Sequence, residues 1–151
     1  MTIRPAAPAD MGDVARIFAH YVTTSTATFE LTPPPAEAWA EKLAAIATAG
    51  WPFLVATGDA VPSDAVPSDD LPGTPPEAVG RGLGARLLAR LLDDAAAAGA
   101  REVVAVIADA DSTASLALHR RAGFTEAGRL ERVGHKFDRW LGTTLLQRSL
   151  R

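Results

Sequence analysis

Three glycines fall close together at Gly80, Gly82 and Gly84, in the run Gly80, Arg81, Gly82, Leu83, Gly84, Ala85, directly before a leucine-rich stretch of helical period. Glycines at a helix start leave main-chain amides bare and convergent, and with the positive end of the helix dipole they suit a phosphate or pyrophosphate. Three readings compete for this pattern. In the first, the glycines merely permit positive φ and close helix packing in a turn. In the second, Gly80, Gly82 and Ala85 fit GxGxxA, the fingerprint of a dinucleotide-binding oxidoreductase, yet that motif needs a strand immediately upstream and PGTPPEAV is a poor one. The third is a site for the pyrophosphate of coenzyme A. A Walker loop is excluded, because no Gly-Lys-Ser/Thr follows.

Other reactive groups are sparse. The chain has no cysteine, which excludes disulfide frameworks, thiolate catalysis and cysteine zinc sites. His20, His119 and His135 lie too far apart for a local motif such as HExxH, so no metal is expected. Lys and Arg number 15 against 18 Asp and Glu, a net charge of -3, and no global basic field exists to capture nucleic acid. The opening stretch MTIRPAAPADMGDVARIFAHYV places acids inside its first apolar period and has no long apolar run. It resembles neither a signal peptide nor a membrane span, and the expected compartment is the cytoplasm, with no membrane partner.

The elements that must position these groups fit one soluble domain spanning residues 1–151, with 48% hydrophobic and 22% charged residues. Thr2 to Arg4 starts a strand, and Asp10 offers an N-cap to a helix carrying Met11, Val14, Ile17, Phe18 and Tyr21. Pro33 to Pro35 precede a second helix with Trp39, Leu43 and Ile46, ending at Gly50, and PFLVA at 52–56 reads as a short buried strand. AVPSD at 60–64 is then repeated at 65–69, with prolines at 62, 67, 72, 75 and 76. Proline lacks the amide hydrogen that a sheet interior needs, so this acidic stretch predicts an extended loop.

Helical period returns after Gly80 with Leu83, Leu87, Leu88, Leu91, Leu92 and Ala95 on one face, closing at Gly99. EVVAVIA at 102–108 predicts a strand buried on both faces. A helix capped at Asp111, Ser112 or Thr113 follows and ends at Gly123, and two strands, 124–133 and 136–150, surround a turn at Gly134. The order of elements is mixed α/β.

GRGLGARLLARLL and DSTASLALHRRAGF resemble the acetyl-CoA loop and the later helix-and-turn signature of the GNAT superfamily of acetyltransferases. STATFE at 25–30, ASLALHRRAGF at 114–124 and VGHKFDRWL at 133–141 are similar to the phosphinothricin acetyltransferase branch, which acetylates small amino-acid-like amines. The likeness covers residues 2–57 and 80–150. It implies an N-acetyltransferase with acetyl-CoA as co-substrate, a small-molecule amine as acceptor and a homodimeric state. On this resemblance Gly80, Arg81, Gly82, Leu83, Gly84 and Ala85 hold the pyrophosphate, and Ser112 stands where the family has a cofactor-contacting Asn. His119 occupies the helix position of the group that donates or relays a proton at the departing thiolate. Phe29, with its neighbours from Ser25 to Glu30, forms one wall of the acceptor pocket. Lys136, Phe137 and Trp140 form another.

One region departs from the family. Residues 58–79, the proline-rich loop, replace two antiparallel strands that the GNAT fold places before the glycine turn, so that the expected fold lacks part of its central strands. The missing strand pairs with the pantetheine arm in the family and lies near the carboxylate that serves as general base. Glu77 is a poor substitute, flanked as it is by prolines, and Val79 stands where the family's Arg/Gln begins the loop motif. Two functions follow from this: an active N-acetyltransferase, or a catalytically impaired module of the same fold that still binds acetyl-CoA. Loss of central strands also leaves an unpaired sheet edge that favours self-association.

Overall fold

The computed structural model describes residues 2–58, 82–109 and 113–151. In chain order these residues form β1 (Thr2–Pro5), a 3-10 turn (Pro8–Asp10), α1 (Met11–Thr24), α2 (Ala36–Thr48), β2 (Leu54–Thr57), α3 (Leu83–Ala97), β3 (Glu102–Ala108), α4 (Thr113–Arg121), β4 (Thr125–Lys136) and β5 (Arg139–Ser149). The expected loop at 60–78, together with Gly80, Arg81 and Ser112, lies outside the described residues.

Two antiparallel sheets result. β1 pairs with β2, and β5 lies between β3 and β4. The last strand of the chain is therefore hydrogen-bonded along both edges, and its Leu146 is fully buried. Strand residues alternate between faces, so Val103, Ala105 and Ile107 of β3 join Leu146 on the face covered by the helices. There they meet Leu88 and Leu92 of α3, Leu116 of α4, and Phe124. The intervening Val104 and Val106 point the other way and are 57% and 65% exposed. The expectation that β3 is buried on both faces is thus corrected. A β-branched run reports strand propensity, whereas burial depends on what the rest of the chain lays over each face.

The first half of the molecule is joined by aromatic contacts. Phe18 of α1 meets Trp39 of α2 edge to face at 5.0 Å, and Trp39 reaches Phe53, just before β2, at 6.4 Å. Such pairs stabilise beyond their buried area by about 0.5–1.5 kcal/mol each.

The turn expected at Gly134 lies three residues further on. β4 continues to Lys136, β5 starts at Arg139, and the two-residue connection is Phe137–Asp138, with φ of 49° and 55°. Positive φ at both central residues is the geometry of a type I′ hairpin, whose twist matches the flanking strands. Gly134 instead sits inside β4 opposite Leu141. The register shifts between Leu130 and Gly134, where Leu130 opposes Thr143 but Gly134 opposes Leu141. That bulge holds Arg132 at φ 55°.

Asp10 occupies the position before α1 but makes no side-chain cap to that helix. Its carboxylate turns back instead, accepting the Ala7 amide at 2.7 Å and two guanidinium hydrogen bonds from Arg4 at 2.8 Å each. The Arg4 hydrogen bond and the Ala7 amide hold the Asp10 carboxyl down at about 2, against an ordinary value of 3.8. A depressed carboxylate stabilises the fold above its unfolded-state value, and that contribution fades as pH falls through the folded one. With Arg4 39% exposed the pair is screened by solvent, so Asp10→Asn is expected to cost about 1 kcal/mol at neutral pH. Urea unfolding across a pH series should show the gap between the two proteins closing between about pH 4 and pH 2.

Candidate active site

α3 begins on Gly82, which takes the left-handed conformation at φ 71° and supplies no side-chain cap. The ladder within the helix starts with the Arg86 amide donating to the Gly82 carbonyl at 3.3 Å. The amides of Leu83, Gly84 and Ala85 precede that first bond and have no acceptor inside the helix. No acidic residue stands in the first turn to compete for them. Leu83 is buried and fixes the helix start against the core, while glycine at 82 and 84 keeps the approach free of side chains. These amides fit a diphosphate by geometry and by the dipole.

His119 lies on the last turn of α4, half-buried. Its Nδ1 is 2.8 Å from the Ser115 carbonyl, and its ring meets Phe124 edge to face at 5.2 Å. A carbonyl only accepts, so Nδ1 carries the proton of the neutral ring and Nε2 keeps its lone pair. Both contacts lock the imidazole's orientation. Nε2 is the nitrogen left for chemistry.

The loop after α1 is seated on β4 at two neighbouring points. The ring of Phe29 lies over Gly134 so closely that a Cβ built there would come within 2.6–2.8 Å of three ring carbons. Two residues on, Lys136 is 3% exposed, and its Nζ donates to the Thr28 carbonyl at 2.9 Å and lies 5.2 Å from the centre of the Phe137 ring. Burial pushes the Lys136 ammonium below its ordinary 10.5, with Glu30 partly opposing the shift. Phe29, Lys136 and Phe137 are thus brought together. Trp140 faces the other way: it pairs across the hairpin with His135, whose ring is 5.0 Å away, and the Arg132 guanidinium lies 5.0 Å from its ring centre. Alternation along β4 and β5 puts His135 and Trp140 on the face opposite Gly134 and Lys136.

Reading the sequence missed two positions. One is Gly134, taken for a turn. The other is Asp109, at the end of β3, whose carboxylate accepts the Thr144 hydroxyl at 2.7 Å and lies 3.3 Å from an Arg129 guanidinium nitrogen. It fills the space above Gly142, where a Cβ would fall 2.6 Å from its oxygen. Only the pairing register, which sets Ala108 opposite Thr143, makes that meeting visible. Among the described residues no group of three His, Cys, Asp or Glu is placed to hold a metal ion, and no helix is long and apolar enough to cross a membrane.

The acetyltransferase (GNAT) family profile matches residues 73–124, which include the amide-bearing start of α3 and the whole of α4. A phosphinothricin N-acetyltransferase of Alcaligenes faecalis is 36% identical to the chain, over 99% of this chain and 82% of that protein. The chain belongs to the GNAT family. An L-methionine sulfoximine/L-methionine sulfone acetyltransferase of Pseudomonas paraeruginosa is also 36% identical, over 99% of this chain and 94% of its own length. Among solved structures, a GNAT phosphinothricin acetyltransferase from Sinorhizobium meliloti in complex with acetyl-CoA superposes with a TM-score of 0.85 at 31% identity, covering 98% of this chain and 87% of that one. The mixed α/β fold is that of the GNAT acetyltransferases, and the protein is a GNAT N-acetyltransferase, a family whose cofactor is acetyl-CoA.

Two substitutions test the backbone of this GNAT site in opposite directions. A Cβ at Gly82 would meet nothing within 4 Å, so Gly82→Ala carries only the left-handed penalty and is expected to cost about 1–2 kcal/mol. Phe137 is a bulky residue held at φ 49°, and Phe137→Asn, which suits a I′ turn, is expected to stabilise by about 0.5–1 kcal/mol. Thermal unfolding should move down for the first and up for the second.

Proposed function

We propose that the chain transfers acetyl from acetyl-CoA to the amine of a small amino-acid-like acceptor of the phosphinothricin or methionine sulfoximine type. The observation that carries this is the first turn of α3, where three amides have neither an acceptor inside the helix nor a side-chain cap and the helix dipole is positive. The names of the relatives supply the acceptor class. In this reading Gly80 to Ala85 cradle the diphosphate and Ser112 adds a hydroxyl contact. Phe29, Lys136 and Phe137 border the acceptor, and Trp140, on the opposite face of the hairpin, is left out of that wall.

The amine nitrogen attacks the thioester carbonyl carbon, so a C–N bond forms and the carbonyl oxygen takes the displaced electron pair. Collapse of that intermediate breaks the C–S bond and releases thiolate. The ammonium proton passes to Nε2 of His119, whose other nitrogen is already committed to Ser115, and from there to the thiolate. His119 is in this account a relay whose proton returns within one turnover. The protein acts as a cytoplasmic homodimer.

A second reading, an acetyl-CoA-binding module with impaired transfer, has its own observation. The alignment to the Alcaligenes enzyme runs over 162 residues, although the chain has 151, so that enzyme carries residues this chain lacks. The proline-rich run at 58–79 is where the shortening would fall. Thiol release with a panel of amino acids separates the two readings. Release above background with one acceptor establishes transfer, whereas calorimetric binding of acetyl-CoA without release selects the module. Under the first reading His119→Ala is expected to lower kcat by about 10²–10⁴ while acetyl-CoA binding measured by calorimetry persists.

A further inference from the structure

Gly134 has no role in the reaction as described so far, yet the Phe29 ring of the loop after α1 lies directly over it. A Cβ at this position would fall 2.6 Å from Cδ2 of Phe29 and 2.8 Å from Cγ and Cε2, where ordinary contact begins at 3.4 Å. The chain cannot accept even a methyl group there unless the ring retreats by most of an ångström. No φ value forces glycine at 134, because the residue, paired with Leu141 at the end of the bulge, does not have positive φ. Contact with the ring is what excludes a side chain.

We propose that Gly134 is a positioning residue that sets the depth of the acceptor pocket by letting the Phe29 ring rest on bare backbone. Lys136 completes the seat. It lies two residues along, on the same face of β4, and its ammonium holds the Thr28 carbonyl at 2.9 Å. One point holds the ring and the other the main chain beside it, so the loop is tied to β4 at two neighbouring places. Any Cβ at 134 drives the ring away from β4 into the space an acceptor occupies, and longer acceptors lose room first.

This inference rests on acetyl transfer to a small amine, and its test keeps the two apart. Steady-state kinetics would be measured for wild type, Gly134→Ala, Phe29→Ala and the double variant, with L-methionine sulfoximine as acceptor. Displacement of a positioning element by about an ångström costs up to about 100-fold, so Gly134→Ala is expected to lower kcat/KM for the acceptor by about 10–100-fold through KM. The KM for acetyl-CoA should not move. Phe29→Ala removes the Cγ, Cδ2 and Cε2 atoms that the new Cβ meets, so Gly134→Ala added to Phe29→Ala should raise the acceptor KM little beyond that of Phe29→Ala alone. Lys136→Met supplies a second route should Gly134→Ala fold poorly: it frees Thr28 and is expected to raise the acceptor KM alone. An unchanged acceptor KM in a folded variant, an equal rise in both KM values, or the same effect of Gly134→Ala with and without Phe29→Ala would each overturn the proposal. A wild-type chain that acetylates no amine removes the transfer reading itself, and this inference with it, before any variant is compared.

Discussion

Hydrogen bonding of β5 along both edges is the constraint from which the placement of the site follows. One ladder holds β3, so the chain leaves the sheet at Ala108 next to Thr143 and enters α4 at a set distance from the core. The other ladder holds β4, and so fixes where Gly134 and Lys136 stand. Because faces alternate along a strand, the two ladders serve opposite sides. The face of Ile107 and Leu146 carries the helix that bears His119, while the face of Gly134 and Lys136 carries the loop with Phe29. A one-residue slip of β5 against either neighbour would exchange those faces, turning Thr143 and Gln147 toward the helices and exposing Leu146. Asp109 guards against such a slip, since its carboxylate spans β3 to Thr144 on β5 and Arg129 on β4 over a residue with no side chain, Gly142.

Much of this was legible in the residues because local physics decided it. The leucines of α3 recur at the helical period and Gly82 stands where a left-handed residue is required, so both the helix and its bare amides could be read directly. The strand Glu102–Ala108 has the boundaries its β-branched run announces. Facts that depended on distant partners were not legible. Val104 and Val106 have the composition of doubly buried residues but lie on a face left open. Asp10 has the chemistry of a helix cap, yet Arg4, six residues earlier, offers a two-pronged charged partner that outcompetes the α1 amides. Gly134 shows the limit most clearly. Glycine signals either a turn or a close approach, and only the presence of Phe29, more than a hundred residues away in sequence, decides between them.

The hairpin also shows where the chain tolerates unfavourable backbone. Arg132, Phe137 and Asp138 all have positive φ without being glycine. Asp is among the residues that visit this region at modest cost, but Arg and Phe are not. The three surround the tip of the hairpin, and two of them carry side chains in ring contacts: the Arg132 guanidinium over Trp140 and the Phe137 ring beside the Lys136 ammonium. A simple Asn-Gly turn would close these strands with less strain. What it would lack is an aromatic side chain at the tip, 54% exposed, next to the seat of the acceptor loop.

Lys136 argues the same way from electrostatics. A lysine almost wholly removed from water favours its neutral form, and here burial lowers its affinity for a proton against the weaker support of Glu30. A cation whose folded value lies below its unfolded one weakens the fold while charged, and the penalty lifts only as pH rises through the folded value toward 10.5. At neutral pH the residue therefore works against stability, and an apolar side chain of similar length would pack in its place with less cost. Its hydrogen bond to Thr28 recovers part of that cost but is directed at one carbonyl, on the one loop that carries Phe29. An apolar residue would fill the volume without specifying where that loop sits. The ammonium does specify it, because only a narrow range of loop positions brings a carbonyl to within 2.9 Å of a buried donor that has little access to water. The cost of burying Lys136 is thus the cost of holding the 25–30 loop in one place on β4, which is what the acceptor wall proposed above requires and a core does not.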